Sequence, residues 1–249
     1  MSKHVTRMTI DDAEHYTVEQ REAIIKSYPP HEREARAKGV PMLGSGRIFP
    51  IPEEDIKVEA FQIPSHWQRI AGADFGWDHP FAAAWGAIDR DTDTLYIYDC
   101  FRVREQTPSV HAITMRAKGA WIPFAWPHDG LQHDKGSGEE LAEQYKKAGV
   151  KMLPIRAQWP DGSNSVEAGL LEMLDRMQSG RFKVFAHLHD FFEEFRLYHR
   201  QDGKIVKLRD DIISAIRYLV MMLRYARVPE NRNTGQVVHY GVLDSEAGY

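Results

Sequence analysis

The distribution of apolar and polar positions changes character along the 249 residues. Over residues 11–38 charged side chains dominate. Thr17-Val-Glu-Gln-Arg-Glu22, a capping threonine followed by early acids, predicts a helix start. Pro29-Pro30 interrupts it, and residues 31–38 suit a further helix stopped by Gly39. Residues 39–64 are rich in Gly and Pro, and they read as a surface connection with a short strand near Gly46-Arg-Ile-Phe49. From Trp67 onward apolar runs shorten and recur. Strands are expected over 69–75, 81–89 and 94–102, the last two joined by the polar turn Asp89-Arg-Asp-Thr-Asp93, which makes an antiparallel meander. A helix follows over 107–118, then a strand over 121–126 ending in Pro127-His-Asp-Gly130. Beyond it come a helix over 137–148, a strand over 151–155, a helix over 166–178, a strand over 182–185 and a helix over 188–198. Asp202-Gly203 marks a hairpin within 198–208, residues 209–227 form the last helix, and a polar, mobile tail closes the chain. Three strands followed by alternating helix and strand predict an α/β fold, a mixed sheet with helices on its faces.

Composition narrows the classes. The length suits one domain, or one domain with an extension, and a hydrophobic share of 43% is ordinary for a globular core. We assign residues 1–66 to an arm, 67–227 to the core domain and 228–249 to the tail. The single cysteine, Cys100, excludes an internal disulfide framework and fits a reducing compartment. No signal peptide opens the chain, and the longest apolar stretch, 212–223, is interrupted by Ser214, Arg217 and Tyr218. It reads as a buried helix, so a soluble intracellular protein without membrane attachment is expected. A net charge of −4 argues against binding nucleic acid through bulk electrostatics, but leaves room for a local grip.

The chemistry gathers at acids. Arg69-Ile-Ala-Gly-Ala-Asp-Phe-Gly-Trp-Asp78 delivers Asp74 on an apolar strand, where an unpaired charge is costly. Gly72 and Gly76 leave the backbone open to close approach, most simply by a hard cation. An ordinary alternative is a turn cap or an ion pair with Arg69. Asp129 follows the fourth strand and Asp210-Asp211 opens the last helix. Singly these are a turn residue and helix-dipole acids. Together with Asp74 they offer three carboxylate sources to one site, an oxygen-rich set that favours Mg²⁺ or Mn²⁺ over zinc.

Three stretches carry a family resemblance: Ala71-Gly-Ala-Asp-Phe-Gly76, the Asp129-Gly130 strand end, and Asp210-Asp-Ile-Ile-Ser-Ala-Ile-Arg-Tyr218. Each resembles the RNase H-like nuclease domain of phage terminase large subunits. The last is similar to that family's Asp-Asp-x-x-Asp-Ala-Leu-Arg-Tyr pattern, and the stretch from Tyr16 through Gly46-Arg-Ile-Phe-Pro50 resembles the segment preceding the domain. The resemblance implies an RNase H-like mixed sheet with helices on both faces. It also implies a metal-dependent endonuclease that cuts concatemeric double-stranded viral DNA during packaging with two Mg²⁺ or Mn²⁺ ions. Asp74 would bridge the ions, with Asp129 and Asp211 each holding one side. Implied partners are the terminase ATPase domain, the small terminase subunit and the portal protein, in the cytoplasm of an infected bacterial host.

Two departures stand out. Ser214 occupies the place of a third aspartate, which leaves the last ligand to Asp211 or Asp210. Asp211 is favoured, being one turn before Ser214 on the same face. No Gly-x-x-x-x-Gly-Lys-Ser/Thr loop occurs, so the ATPase motor is absent from this chain: either the motor is a separate protein or, the reading favoured here, residues 1–66 are the surviving linker from a preceding ATPase domain.

Around the acids, Arg200, Lys204, Lys207 and Arg209 make a local positive patch on the hairpin, suited to phosphate contact or simply to a solvated edge. Asp78, His79, His128 and Ser214 are candidates for supporting the ligands from behind. The competing functions are a ribonuclease H or Holliday-junction-type resolvase of the same fold, and a non-catalytic module whose tail docks on the portal.

Overall fold

The computed structural model describes residues 9–13, 15–28, 33, 36–38, 46–76, 79–131, 140–201 and 203–229, with only the backbone at 129 and 131. Half of the expected helix over 31–38 falls outside these residues, its described positions Arg33, Arg36 and Ala37 being helical; Asp78, Asp202 and the tail from 230 lie outside them.

The meander forms as the pattern predicts. β2 (Gln68–Asp74), β3 (Phe81–Asp89) and β4 (Thr94–Val103) pair antiparallel, in register from Gln68↔Ile88 to Asp74↔Ala82 and with an irregularity between Trp85 and Gly86. The turn after β3 holds because Asp89 does the bonding. Its carboxylate accepts from Asp91 N–H (3.0 Å) and from the Thr92 hydroxyl (2.9 Å). β5 (Phe124–Ala125) joins β2 in parallel, and β6 (Phe182–Phe185) joins β4 in parallel. β1 (Lys57–Val58) completes a six-stranded sheet in the order β1-β6-β4-β3-β2-β5.

β1 lies in the stretch that reads as arm. That stretch is built into the core: Ile48, Phe49, Ile51 and Ile56 are buried, and Phe49 stacks on Phe195 with centroids 5.9 Å apart. Gly46 and Ile48 bond the backbone of Arg200 and Tyr198, so the expected strand near 46–49 reduces to an isolated bridge at Arg47. The strand expected over 151–155 is likewise only a bridge, Met152 to Phe124, because β5 is two residues long and offers no longer edge to pair with.

Among the described residues the helices run as follows. α1 (Val18–Ser27) is capped by Thr17, whose hydroxyl accepts from Gln20 N–H. A short α2 (Glu53–Ile56) leads into β1. α3 (Pro108–Ala117) and α4 (Leu141–Lys147) cover one face, where His111 stacks on Phe81 at 4.0 Å and Tyr145 on Phe75 at 5.0 Å. α5 (Val166–Gln178), α6 (His189–Leu197) and α7 (Asp211–Met221) form the other layer. α7 is shorter than the 209–227 expected, because the chain tightens into a 3-10 turn at Leu223–Tyr225.

α7 sits directly on β2. A Cβ at Gly72 would lie 1.9 Å from the carbonyl oxygen of Ala215, and one at Gly86 would meet the Leu219 methyls. The two glycines that were to admit a cation thus accommodate protein backbone instead: Gly72 receives α7, and Gly76 receives the carbonyls of His79 and Pro80. Arg69 and Arg227 exchange backbone hydrogen bonds of 2.6 and 3.0 Å near the other end of α7. The helix therefore runs antiparallel to β2, and its N-terminus lies at the end of the sheet where β2 finishes with Asp74.

Candidate active site

Asp74 closes β2, partly buried, and alternation places it on the same face as Gly72, toward α7. Pairing of Gly72 with Ala125 carries β5 to the same end, where residues His128–Leu131 form a 3-10 turn containing Asp129. Gly130 fixes that turn against the chain after Asp74. A Cβ there would fall 2.4 Å from the Trp126 ring and 2.9 Å from the Phe75 ring. Strand β2, the β5 turn and the α7 N-terminus thus converge at one end of the sheet.

Asp210 occupies the N-cap position of α7 and Asp211 the first helical position, 8% exposed. Neither spends its side chain as the cap. Glu194 on α6 does so instead: fully buried, it accepts through Oε2 from the backbone N–H groups of Ile212 (2.8 Å) and Ile213 (3.0 Å). Its Oε1 accepts from Arg102 at 2.8 Å, and the same guanidinium lies 3.5 Å from Asp190 and 3.6 Å from Glu193. Burial pushes the Glu194 carboxyl up to about 8, against the pull of the Ile213 N–H and of Arg102. Asp211 is pushed up by burial too, held back chiefly by Arg102 and His79. Asp210 is pushed up by burial and by its neighbour Asp211, while Lys207 pulls it down. Adjacent carboxylates with little access to water repel one another and favour taking up a proton, and a bound cation offsets the same repulsion.

A cavity of about 640 Å³ opens at this point, lined among others by His79, Arg102, Arg104, Lys207, Asp210 and Asp211. Asp74 is not among its lining residues. Among the described side chains, no three of His, Cys, Asp or Glu stand close enough to share a metal ion; the Asp129 side chain is outside that description. The donor chemistry, carboxylate oxygen on three elements, fits a hard divalent cation.

The other candidates fall as follows. His79 is exposed and faces the cavity. His128 is exposed and accepts from Arg156 Nη1 at 2.6 Å through Nδ1, so that nitrogen serves an arginine and not a carboxylate. Ser214 is partly buried one turn into α7, its N–H bonded to the Asp210 carbonyl at 2.8 Å. The hairpin forms from β7 (Arg200–Gln201) and β8 (Lys204–Ile205), apart from the main sheet. Arg200 is forked onto Glu167 (one arm 2.9 Å) and Arg209 is paired with Glu193. Lys204 and Lys207 are exposed and close no ion pair within 4 Å among the described residues. Arg102, Arg104 and Glu194 were not anticipated. One signal was readable: Glu194 interrupts the apolar face Phe191, Phe192, Phe195, where a buried carboxylate demands partners.

A mixed sheet of this order, with its last helix laid across the central strands, is the architecture of an RNase H-like fold. The chain belongs to the terminase RNaseH-like domain family, whose model matches residues 71–223. Residues 1–56 match a second family, the N-terminal part of the T4-like terminase large subunit. The chain is 54% identical over 228 residues to the terminase large subunit of Salmonella phage P22, covering 91% of this chain and 46% of that protein. It thus spans about half the length of that relative. The solved nuclease domain of the P22 large terminase superposes with a TM-score of 0.69 at 50% identity, over 74% of this chain and 95% of that domain. The nuclease domain of the bacteriophage SPP1 large terminase, solved with bound Mn, superposes with a TM-score of 0.51 at 18% identity, over 68% and 97%, and shares the fold. No helix among the described residues is long and apolar enough to cross a membrane.

Proposed function

We propose that this chain is the nuclease part of a terminase large subunit, a metal-dependent endonuclease that cuts concatemeric double-stranded viral DNA during genome packaging. The observation that carries the reading is the convergence of Asp74, the Asp129 turn and the Asp210-Asp211 helix start at one end of a terminase-family sheet. The Mn held by the SPP1 nuclease domain supports a divalent ion here. Asp74, Asp129 and Asp211, with Asp210, would hold Mg²⁺ or Mn²⁺, two ions in the full assignment. Bound there, such ions supply an activated water and charge stabilisation for the leaving oxygen.

The chain's own groups do the rest. Asp210 and Asp211 concentrate negative charge where the site needs it, and Arg102 and His79 keep Asp211 from taking up a proton too readily. Arg104 and Lys207 face the same cavity and suit the phosphates of a bound strand. Residues 1–56 support an origin beside an ATPase domain. The ATPase domain, small subunit and portal are the partners we assign, with action in the cytoplasm of the infected bacterium.

A plasmid-nicking assay tests this. Cleavage is expected with Mn²⁺ or Mg²⁺, none with chelator, and none from a folded Asp74→Asn variant. Undiminished cutting by that variant at saturating Mn²⁺ refutes the assignment, and preference for RNA–DNA hybrids or junctions over linear duplex would move it to a ribonuclease H or a resolvase.

A further inference from the structure

We infer that Glu194 is a positioning residue that caps α7 in place of the helix's own aspartates and so leaves Asp210 and Asp211 facing the cavity. The inference deepens the metal site proposed above and rests on it. An N-cap side chain ordinarily accepts from the second and third helical N–H groups, here Ile212 and Ile213. Asp210 stands at the N-cap and makes no such bond. Both donors go instead to one oxygen of Glu194, from a different helix, at 2.8 and 3.0 Å.

That substitution matters because a carboxylate used as a cap has its lone pairs turned into the helix. With the orphan N–H groups satisfied from α6, Asp210 and Asp211 are released from capping and line the cavity instead. Glu194 is itself held by Arg102 from β4, so its reach to α7 is set by two further elements. Remove the acceptor, and the nearest replacement for the two N–H groups is an aspartate of the site.

The test measures Mn²⁺ affinity of the whole chain by calorimetry, with thermal melting alongside. Glu194→Gln keeps an oxygen at the same reach, and its Mn²⁺ affinity should stay within about threefold of the wild type. Glu194→Asp keeps the carboxyl group but falls one methylene short, and should lose about tenfold or more. Glu194→Met, of similar length but without an acceptor, should lose as much and serves if the aspartate variant does not fold. Equal affinity in all variants, or an equal loss in Glu194→Gln, overturns the inference. Failure of the wild-type chain to bind Mn²⁺ overturns the metal site itself, and is told apart because it precedes any substitution.

Discussion

His111 shows what burial does to a single side chain. It is 2% exposed, stacked on Phe81, with Nδ1 2.7 Å from the Tyr145 hydroxyl and Nε2 without a hydrogen-bond partner among the described residues. Burial pushes its pKa down to about 4. The unfolded chain, with an ordinary histidine near 6.5, therefore binds a proton that the folded chain refuses between pH ~6.5 and ~4. Stability should be unaffected by His111 above that window and should fall as pH drops through it, by at most ~1.4 kcal/mol per pH unit. Urea unfolding of wild type and His111→Phe at pH 7 and pH 5 checks this: the wild type should lose more on acidification. At the same scale, Asp74 was legible from sequence because a carboxylate ending an apolar strand is costly. Gly72 was legible as a point of close approach, but what approaches it, the Ala215 carbonyl, was not.

Among the elements, the hairpin separates charge that is available from charge already used. Arg200 and Arg209 are tied to Glu167 and Glu193, whereas Lys204 and Lys207 are exposed. Lys204→Glu with Lys207→Glu should weaken binding of duplex DNA and flatten its salt dependence. Arg200→Ala should change both less, because its charge is already neutralised. Filter binding across a salt series measures the difference, and equal effects would mean the Arg200–Glu167 pair opens on DNA. Most strands and helices were legible from their periods of two and 3.6. The two-residue β1 was not, since so short a run carries no period and exists only because a neighbouring edge accepts it, whereas β5 was expected and is only shorter than the 121–126 predicted.

For the whole molecule, the boundary between arm and domain is decided by packing. Phe49 and Ile56 are completely buried, and β1 pairs with β6 through Lys57↔Val184 and Val58↔Phe185. A chain shortened to begin at residue 67 should lose several kcal/mol of stability, since deleting even one buried phenylalanine side chain costs ~3–5 kcal/mol. One beginning at 46 should melt close to the full chain; comparison by calorimetry decides. The sequence by itself determined the strand and helix patterns, the acids at element ends and the family, because these are local properties of a few consecutive residues. Only the tertiary structure decided that α7 rests on Gly72, that Glu194 caps α7, and that Arg102 holds Glu194. Those contacts join residues as far apart in the chain as Gly72 and Ala215, and the burial that makes each one costly to break exists only once the layers have closed.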